Sequence, residues 1–290
     1  MQEMQDMIDR LNQSGKRLSK GQRRIVEYIA AHYDKAVFMT ASRLGECVGV
    51  SESTVVRFAS AMGYEGYPQL QRAMQELVSH RLTPNQRVEM SEEIVPENAM
   101  SHVLKRDMQN LRTTLECMDN AVFEQVVERI LSARSVYVMG LRSAAPLAEF
   151  MYYYLNYIFP SVRLVSSGTT DVFDEISKLE GDDVLVGISF PRYSTRTLEA
   201  MRYAKRCGAQ VISITDGPMS PLTEIADLSL MAHTDMASFV DSLAAPMSVI
   251  NALLVTLGLR RKEALREHFS KLEALWDTYE IYAGESKHHG

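Results

Sequence analysis

The segment Thr40–Tyr67, TASRLGECVGVSESTVVRFASAMGYEGY, predicts two short helices joined by a tight turn. Thr40 can cap the first helix, and Gly49 supplies a corner that tolerates a left-handed backbone. Ser51 is placed to cap a second helix, which Gly63 ends. Apolar residues recur at helical spacing in both helices. This pattern is typical of a helix-turn-helix.

The polar face of the second helix carries short hydroxyl side chains and one long cation near its N-terminal end. In a helix-turn-helix protein this part of the helix meets base edges and phosphates. The alternative is the solvated surface of two core helices in an ordinary α domain, which can show the same pattern of helix caps and turn residues. The residues expected to contact DNA, with the first two in a supporting role, are Thr40, Ser42, Ser51, Ser53, Thr54 and Arg57.

The sequence around this segment favours the DNA-binding interpretation. The run S-x-S-T-V-V-R-F followed by G-Y-x-G-Y, within Leu18–Val78, resembles the N-terminal domain of the RpiR-type bacterial transcription regulators. This resemblance implies an all-α domain that binds double-stranded DNA. Ser60 and Gln71 stand where such regulators often carry Lys or Arg, so the resemblance does not extend to backbone contacts at these positions.

Length and charge fit a DNA-binding domain joined to a larger acidic body. The chain has 290 residues, 46% hydrophobic and 23% charged, with a net charge of −6. Between Ser14 and Arg81 there are ten Lys and Arg against six Asp and Glu, a net charge of +4, so the rest carries −10. The asymmetry supports a DNA reader attached to a part that does not bind DNA.

Targeting signals, metal sites and cofactor motifs are absent from the sequence. The three cysteines form no paired pattern, which favours reduced thiols in the cytoplasm. The N-terminus is polar, and the apolar run Leu243–Leu259 is interrupted by polar residues, so neither a signal peptide nor a membrane span is expected. Since no metal-ligand spacing, catalytic triad, Walker loop or G-x-G-x-x-G occurs, we predict no cofactor, metal or catalytic residue.

From Ser135 onward, short β-rich runs alternate with helical stretches. Buried strands of this kind predict an α/β fold, a doubly wound parallel five-stranded sheet that follows the all-α helix-turn-helix domain. The predicted strands are Ser135–Gly140, Val162–Val165, Asp183–Ile188, Gln210–Thr215 and Leu228–Met231. The predicted helices around them are Ala99–Leu131 with a break near Asp119, Ala144–Tyr157, Thr170–Leu179, Thr195–Cys207, a short one near Pro221–Ile225, and Arg260–Tyr279.

Three segments follow from these elements. Residues 1–82 form the expected helix-turn-helix domain, opening on a short helix or frayed tail at residues 1–14. Residues 83–98 are polar with a proline near each end and no helical stripe, and they are predicted to be a linker. Residues 99–290 form the expected effector-binding and oligomerisation domain, in which Leu243–Leu259 packs on the sheet or on a second subunit. A homodimer or homotetramer is therefore expected.

A ligand in such a sheet binds beyond the C-terminal strand ends, where the strand order reverses. If the order is 2-1-3-4-5, the loops after the first and third strands meet there, and each opens onto a helix whose N-terminal N–H groups attract anions. The alternative is that the hydroxyls of these loops only cap helices. The residues expected to bind an anionic effector are Gly140, Arg142, Ser143, Ser167, Ser189, Arg192, Tyr193, Ser194 and Thr195.

A second resemblance covers this part of the chain. Ser135–Met231 is similar to a sugar isomerase (SIS) domain, a phosphosugar-binding fold that usually accompanies the RpiR-type DNA-binding domain. The markers read GLRS, ISFPRYST and AKRCGAQVISITD. The third is close, whereas Arg142 replaces a glycine in the first and Phe190–Tyr193 replaces the small Ser-Gly core of the second. The resemblance carries the anion-binding positions over to Ser143 and Ser189.

The two arginines at the strand-order reversal carry a hypothesis of their own. A monophosphate already held by helix termini does not need both Arg142 and Arg192. Because guanidinium forks pair bidentately with carboxylate or phosphate, they indicate an effector with more than one anionic group. An arginine-lined contact between subunits is the alternative.

An isomerase would need an acid and a base beside the sugar carbonyl. Glu149, Glu175 and His233 are candidates, but they belong to no recognisable pair. We therefore expect a cytoplasmic, non-enzymatic regulator whose partners are operator DNA, a sugar phosphate or sugar acid, and further copies of the chain. The alternatives are a phosphosugar isomerase with an accessory helical domain and an architectural DNA-binding dimer without an effector.

Overall fold

The computed structural model describes residues 18–37, 39–79, 84–89, 95–166, 168, 170–236 and 238–282. The tail expected at residues 1–14 lies outside these ranges. The chain divides into two compact units, Met1–Val95 and Pro96–Gly290. Each unit has a hydrophobic core of its own.

The first unit is made of short helices with well-formed ends. Ser19 begins α1 with a capping box, in which Ser19 and Gln22 each accept the other's backbone N–H. Thr40 caps α3 through the N–H of Arg43, and Gly49 ends that helix in the left-handed conformation. The helices are α1 Lys20–Ala31, α2 Tyr33–Ala36, α3 Ala41–Val48, α4 Glu52–Ala61, α5 Tyr67–Ser79 and α6 Pro84–Glu89.

Apolar side chains at helical spacing fill the core of this unit. The fully buried ones include Ile25, Leu44, Val55 and Leu70, which come from four different helices. The predicted helix-turn-helix therefore has the core that its apolar stripes require. Helix α6 lies within the segment 83–98, for which the sequence predicts a linker without a helical stripe. Pro84 occupies the first position of this helix, where the proline ring is compatible with a helix.

The second unit holds five parallel strands in the order β2-β1-β3-β4-β5, which confirms the predicted doubly wound sheet. The order reverses between β1 and β3, where Gly140 pairs with Ile188. The strands are β1 Val136–Gly140, β2 Val162–Val165, β3 Val184–Ile188, β4 Gln210–Thr215 and β5 Leu228–Met231. The helices are α7 Ala99–Cys117, α8 Asn120–Ser132, α9 Ala145–Ile158, α10 Val172–Ile176, α11 Thr195–Arg206, α12 Ala244–Arg260 and α13 Lys262–Thr278.

Side chains of β1 alternate between two cores, one on each face of the sheet. Val136 and Val138 pack with residues of α8, α9 and α12, whereas Tyr137 and Met139 pack with residues of α10 and α11. Because both faces are covered by helices, the central strands β1 and β3 are buried throughout rather than alternating. The carboxyl ends of the strands remain as the edge that a ligand can approach.

Two details differ from the sequence prediction. The segment Pro221–Ile225 is a series of turns rather than a helix. The hydroxyl of Ser220 accepts the N–H of Leu222, and the hydroxyl of Thr223 donates to the carbonyl of Ser220, so side chains add to the backbone hydrogen bonds of these turns. Helix α10 is also shorter than predicted.

Two further elements lie where the sequence predicts them. Asp119 caps α8 and breaks the long helical stretch where expected. Helix α12 buries Leu253 and Leu257 in the sheet core, while Val255 and Leu259 remain exposed. The three cysteines are free thiols. Among the described residues, no helix combines the length and apolarity needed to cross a bilayer.

Candidate functional site

The turn between α3 and α4 is tight because two glycines permit it. Gly49 has a φ of 71°, the left-handed region that a side chain disfavours. A Cβ on Gly45 would lie 2.8 Å from the carbonyl oxygen of Val50, so only glycine allows this approach. Arg24 of α1 donates through Nη1 to the carbonyl of Gly49 at 3.3 Å and steadies the turn. The sequence prediction found Gly49 but missed Gly45, whose signal was a glycine inside a helix.

Three hydroxyl groups meet at the N-terminus of α4. Ser51 has the extended backbone of an N-cap, as predicted, but its hydroxyl makes no bond to a backbone N–H. It lies instead 2.9 Å from the hydroxyls of Ser53 and Thr54. The first N–H groups of α4 are consequently not satisfied by this side chain, and together with the hydroxyls they form a group of donors suited to a phosphate.

Arg57 stands one turn further along α4. Its Nε donates to the backbone carbonyl of Ser53 at 3.2 Å, which joins the exposed side chain to the turn that carries the hydroxyls. On α3, the hydroxyl of Thr40 is used as a helix cap, whereas Ser42 is exposed. The structure thus brings together Ser51, Ser53, Thr54 and Arg57. Thr40 serves the fold as the cap of α3.

The second candidate site lies at the carboxyl end of β1. A Cβ on Gly140 would lie 2.5 Å from the carbonyl oxygen of Ala144 and 3.0 Å from the Cβ of Ala148. The absence of a side chain therefore lets the start of α9 approach the strand end. Arg142 and Ser143 lie in the intervening 3-10 turn, and both are exposed.

The loop after β3 is organised by its own hydroxyls. Ser189 is 4% exposed, and its Oγ accepts the N–H of Ser194 at 3.1 Å. The Oγ of Ser194 in turn accepts the N–H of Thr197 at 3.4 Å and caps α11. Thr195 is exposed at the first position of that helix. The hydroxyl oxygens of both serines accept backbone N–H groups within the fold, while their O–H groups donate to no other described residue.

Tyr193 connects this loop to the end of β4, a contact that the sequence prediction missed. Its hydroxyl donates to the carboxylate of Asp216 at 2.9 Å, and the hydroxyl of Thr215 donates to the same carboxylate at 3.1 Å. Burial raises the pKa of Asp216 above its usual range, and burial together with this carboxylate raises the pKa of Tyr193. The signal available in the sequence was the Asp that closes the ISITD run.

Glu175 bonds to two residues that follow β2. Ser167 lies outside the described residues. The neighbouring backbone N–H of Ser166 donates to Glu175 at 2.8 Å, and the hydroxyl of Thr170 donates to the same carboxylate at 3.1 Å. Glu175 therefore connects Ser166, at the end of β2, with Thr170. Glu149 lies on α9, on the opposite face of the sheet from α10, which carries Glu175.

His233 follows β5, where its backbone N–H donates to the hydroxyl of Thr114 on α7 at 2.9 Å. Glu149, Glu175 and His233 thus belong to three separate local structures, and no acid and base are paired among them. In the part of the chain that the structure describes, no group of three His, Cys, Asp or Glu side chains could hold a metal ion.

Comparison with known families divides the chain in the same order. The model of a helix-turn-helix domain of the rpiR family matches residues 5–81, and the model of the SIS domain matches residues 129–256. The HTH-type transcriptional regulator HexR of Pseudomonas aeruginosa is 24% identical over 278 residues, which cover 93% of this chain and 95% of that protein.

Solved structures agree with this division. The sugar isomerase domain of an RpiR transcription factor from Sphaerobacter thermophilus matches with a TM-score of 0.59 and 26% identity, over 61% of this chain and 99% of that one. NanR of Vibrio vulnificus, complexed with ManNAc-6P, has the same fold, with a TM-score of 0.56 and 19% identity over 96% of this chain and 100% of that one. The chain therefore joins a helix-turn-helix domain of the rpiR family to a SIS domain, and it is similar over nearly its whole length to HTH-type transcriptional regulators.

Proposed function

We propose that this protein is a one-component transcriptional regulator that binds operator DNA through α4 and an anionic sugar derivative at the carboxyl ends of its strands. The observation that carries the proposal is the cluster of Ser51, Ser53, Thr54 and Arg57 at one exposed helix end. A helix with short hydroxyls and an arginine in its first turns is suited to the major groove. The match of residues 5–81 to the rpiR-family helix-turn-helix domain supports the same role.

The effector site is proposed at the loops after β1 and β3. The hydroxyl of Ser189, the capped start of α11 and the exposed Ser143 supply donors for an anion at the point where the strand order reverses. That NanR is complexed with ManNAc-6P supports a ligand of this class at the same fold. Because Tyr193 connects the loop after β3 to the end of β4, a ligand bound at this loop can change the packing of the strand ends.

Two or more copies of the chain are part of the proposal. A pair of helix-turn-helix domains binds half-sites one helical turn apart, so an operator of this kind is an inverted repeat. Catalysis is not part of it, because Glu175 is already bound by Ser166 and Thr170 and lies on the other face of the sheet from Glu149. An effector acts by stabilising one arrangement of the copies over another.

The test is binding of the full chain to labelled DNA from the region upstream of its own gene. Fluorescence anisotropy is measured at several salt concentrations, with and without a panel of sugar phosphates and sugar acids. We expect binding that an unlabelled fragment of the same sequence competes better than random DNA, and that one member of the panel strengthens or weakens. Binding equal to that of random DNA would contradict the DNA-reading part, and indifference to every metabolite would contradict the effector part.

A further inference from the structure

Two arginines occupy left-handed backbone positions in loops that leave neighbouring strands. Arg142 follows β1 with a φ of 59°, and Arg192 follows β3 with a φ of 70°. Since β1 and β3 are paired up to Gly140 and Ile188, both loops begin at the same strand ends. The left-handed conformation is unfavourable for a residue with a side chain and free of that penalty for glycine. An arginine at each position therefore opposes the local backbone preference.

The charges of these two arginines are not used within the described parts of the chain. Both side chains are exposed, and neither takes part in a hydrogen bond or ion pair there. Arg196, in the first turn of α11, behaves differently, because it lies 3.7 Å from Asp171 and 3.5 Å from Glu199. Arg196 therefore forms ion pairs within the fold, whereas Arg142 and Arg192 form none with the described residues.

The carboxylates of the same strand ends are already engaged. Asp216 accepts the hydroxyl of Tyr193, and Glu175 accepts the N–H of Ser166 and the hydroxyl of Thr170. Neither carboxylate forms an ion pair with Arg142 or Arg192 in the described residues, so the charges of the two arginines remain for an anion from outside the chain.

A first anionic group of a ligand has its own donors here. Ser189 and the first N–H groups of α11 suit one tetrahedral phosphate. Two further guanidinium groups exceed that need, and their planar forks bind carboxylate or phosphate oxygens in pairs.

We propose that Arg142 and Arg192 bind a second anionic group of the effector, so that the ligand is a sugar derivative with two separate anionic groups. Sugar-acid phosphates and sugar bisphosphates share this chemistry. The proposal rests on the proposed function, since it places the effector at the strand ends. It also accounts for two side chains in an unfavourable backbone conformation, which the fold does not need for its own contacts.

The test uses isothermal titration calorimetry on the full chain with two matched pairs of probes. Glucose 6-phosphate is compared with 6-phosphogluconate, and fructose 6-phosphate with fructose 1,6-bisphosphate, with inorganic phosphate as a reference. We expect at least one doubly anionic probe to bind about ten- to hundred-fold more tightly than its partner, as charge-assisted hydrogen bonds imply. Which pair shows the difference distinguishes a carboxylate from a phosphate as the second group.

The variants Arg142→Gly and Arg192→Gly remove the charges and keep backbones that accept the left-handed conformation. Each should weaken the doubly anionic probe about ten-fold and leave the singly anionic one unchanged. Arg202→Gln, on an exposed part of α11 beyond its first turn, removes one positive charge as a control and should change neither affinity.

The outcomes separate this inference from the proposed function. Equal binding within both pairs, or unchanged affinity in both glycine variants, would overturn the role of the arginines and leave an anion effector in place. No binding of any probe, inorganic phosphate included, would contradict the effector site itself and the inference with it.

Discussion

The two candidate sites use left-handed residues in opposite ways. In the helix-turn-helix, the left-handed corner at Gly49 is a glycine, so the turn forms without a steric penalty. At the strand ends, the left-handed residues are Arg142 and Arg192. Where only the path of the chain matters, glycine is sufficient. Because a side chain is unfavourable in this conformation, an arginine there indicates that its charge contributes to binding.

The largest effect is expected at the DNA-binding site. Arg57→Ala should weaken specific DNA binding by about 1–3 kcal/mol, about ten- to hundred-fold, if the side chain reads a base. If it contacts a phosphate instead, the slope of affinity against salt should fall by about one. Anisotropy titrations at several salt concentrations distinguish the two. Ligand binding at the strand ends should not change, and a loss there would show that the variant perturbs the whole fold.

The next effect is on the helix-turn-helix corner. Gly49→Ala should lower the free energy of unfolding by about 1–2 kcal/mol, because an L side chain is unfavourable at a φ of 71°. The added Cβ also meets the end of the Arg24 side chain at 2.9 Å, which is flexible and can move. Urea unfolding followed by circular dichroism measures the change. An unchanged midpoint would mean that left-handed residues are tolerated without cost in this protein.

Tyr193→Phe tests the contact that joins the effector loop to β4. At neutral pH it should lower the free energy of unfolding by about 1–2 kcal/mol, because the buried carboxylate of Asp216 loses one donor. Burial raises the folded-state pKa of Asp216, so this carboxyl favours the folded state below that pKa and disfavours it as pH rises through it.

Since the Tyr193 hydroxyl lowers the pKa of Asp216, its loss should raise that pKa further. The deficit of the variant should therefore shrink as the pH falls from 7 towards 4. Unfolding of wild type and variant across this range checks the sign, and a deficit that is constant with pH would contradict it.

The smallest effect has the opposite sign. Arg142→Gly and Arg192→Gly should each raise the free energy of unfolding by about 0.5–1 kcal/mol without ligand, as relief of the left-handed strain exceeds the added freedom of the unfolded chain. Thermal unfolding of the free protein measures the shift. A loss of stability in both variants would mean that the arginines serve the fold, and the contrast with Gly49 would fail.

The two regions also differ in how far their sequence predicts them. The helix-turn-helix follows from signals close together in the chain, such as the capping of α3 by Thr40 and the corner at Gly49, so its elements are where the sequence places them. The central strands follow from apolar runs that are buried on both faces, and the ends of all five strands fall within one residue of the prediction.

The strand-end site is less predictable because its contacts join distant residues. Strand order locates the loops after β1 and β3, so the sequence identifies the right region. The bond between Tyr193 and Asp216 spans 23 residues, and the left-handed backbones of Arg142 and Arg192 result from how each loop joins its helix. No local pattern encodes either feature, although the substitution of arginine for glycine in the first marker gave a partial signal.

The most direct test of the account is the thermodynamic link between its two sites. The affinity of the full chain for operator DNA is measured with and without a saturating effector, and the affinity for the effector is measured with and without saturating DNA. The account predicts that both ratios differ from one and that they are equal, as linkage requires. An effector that binds tightly at the strand ends and leaves the DNA affinity unchanged would contradict it.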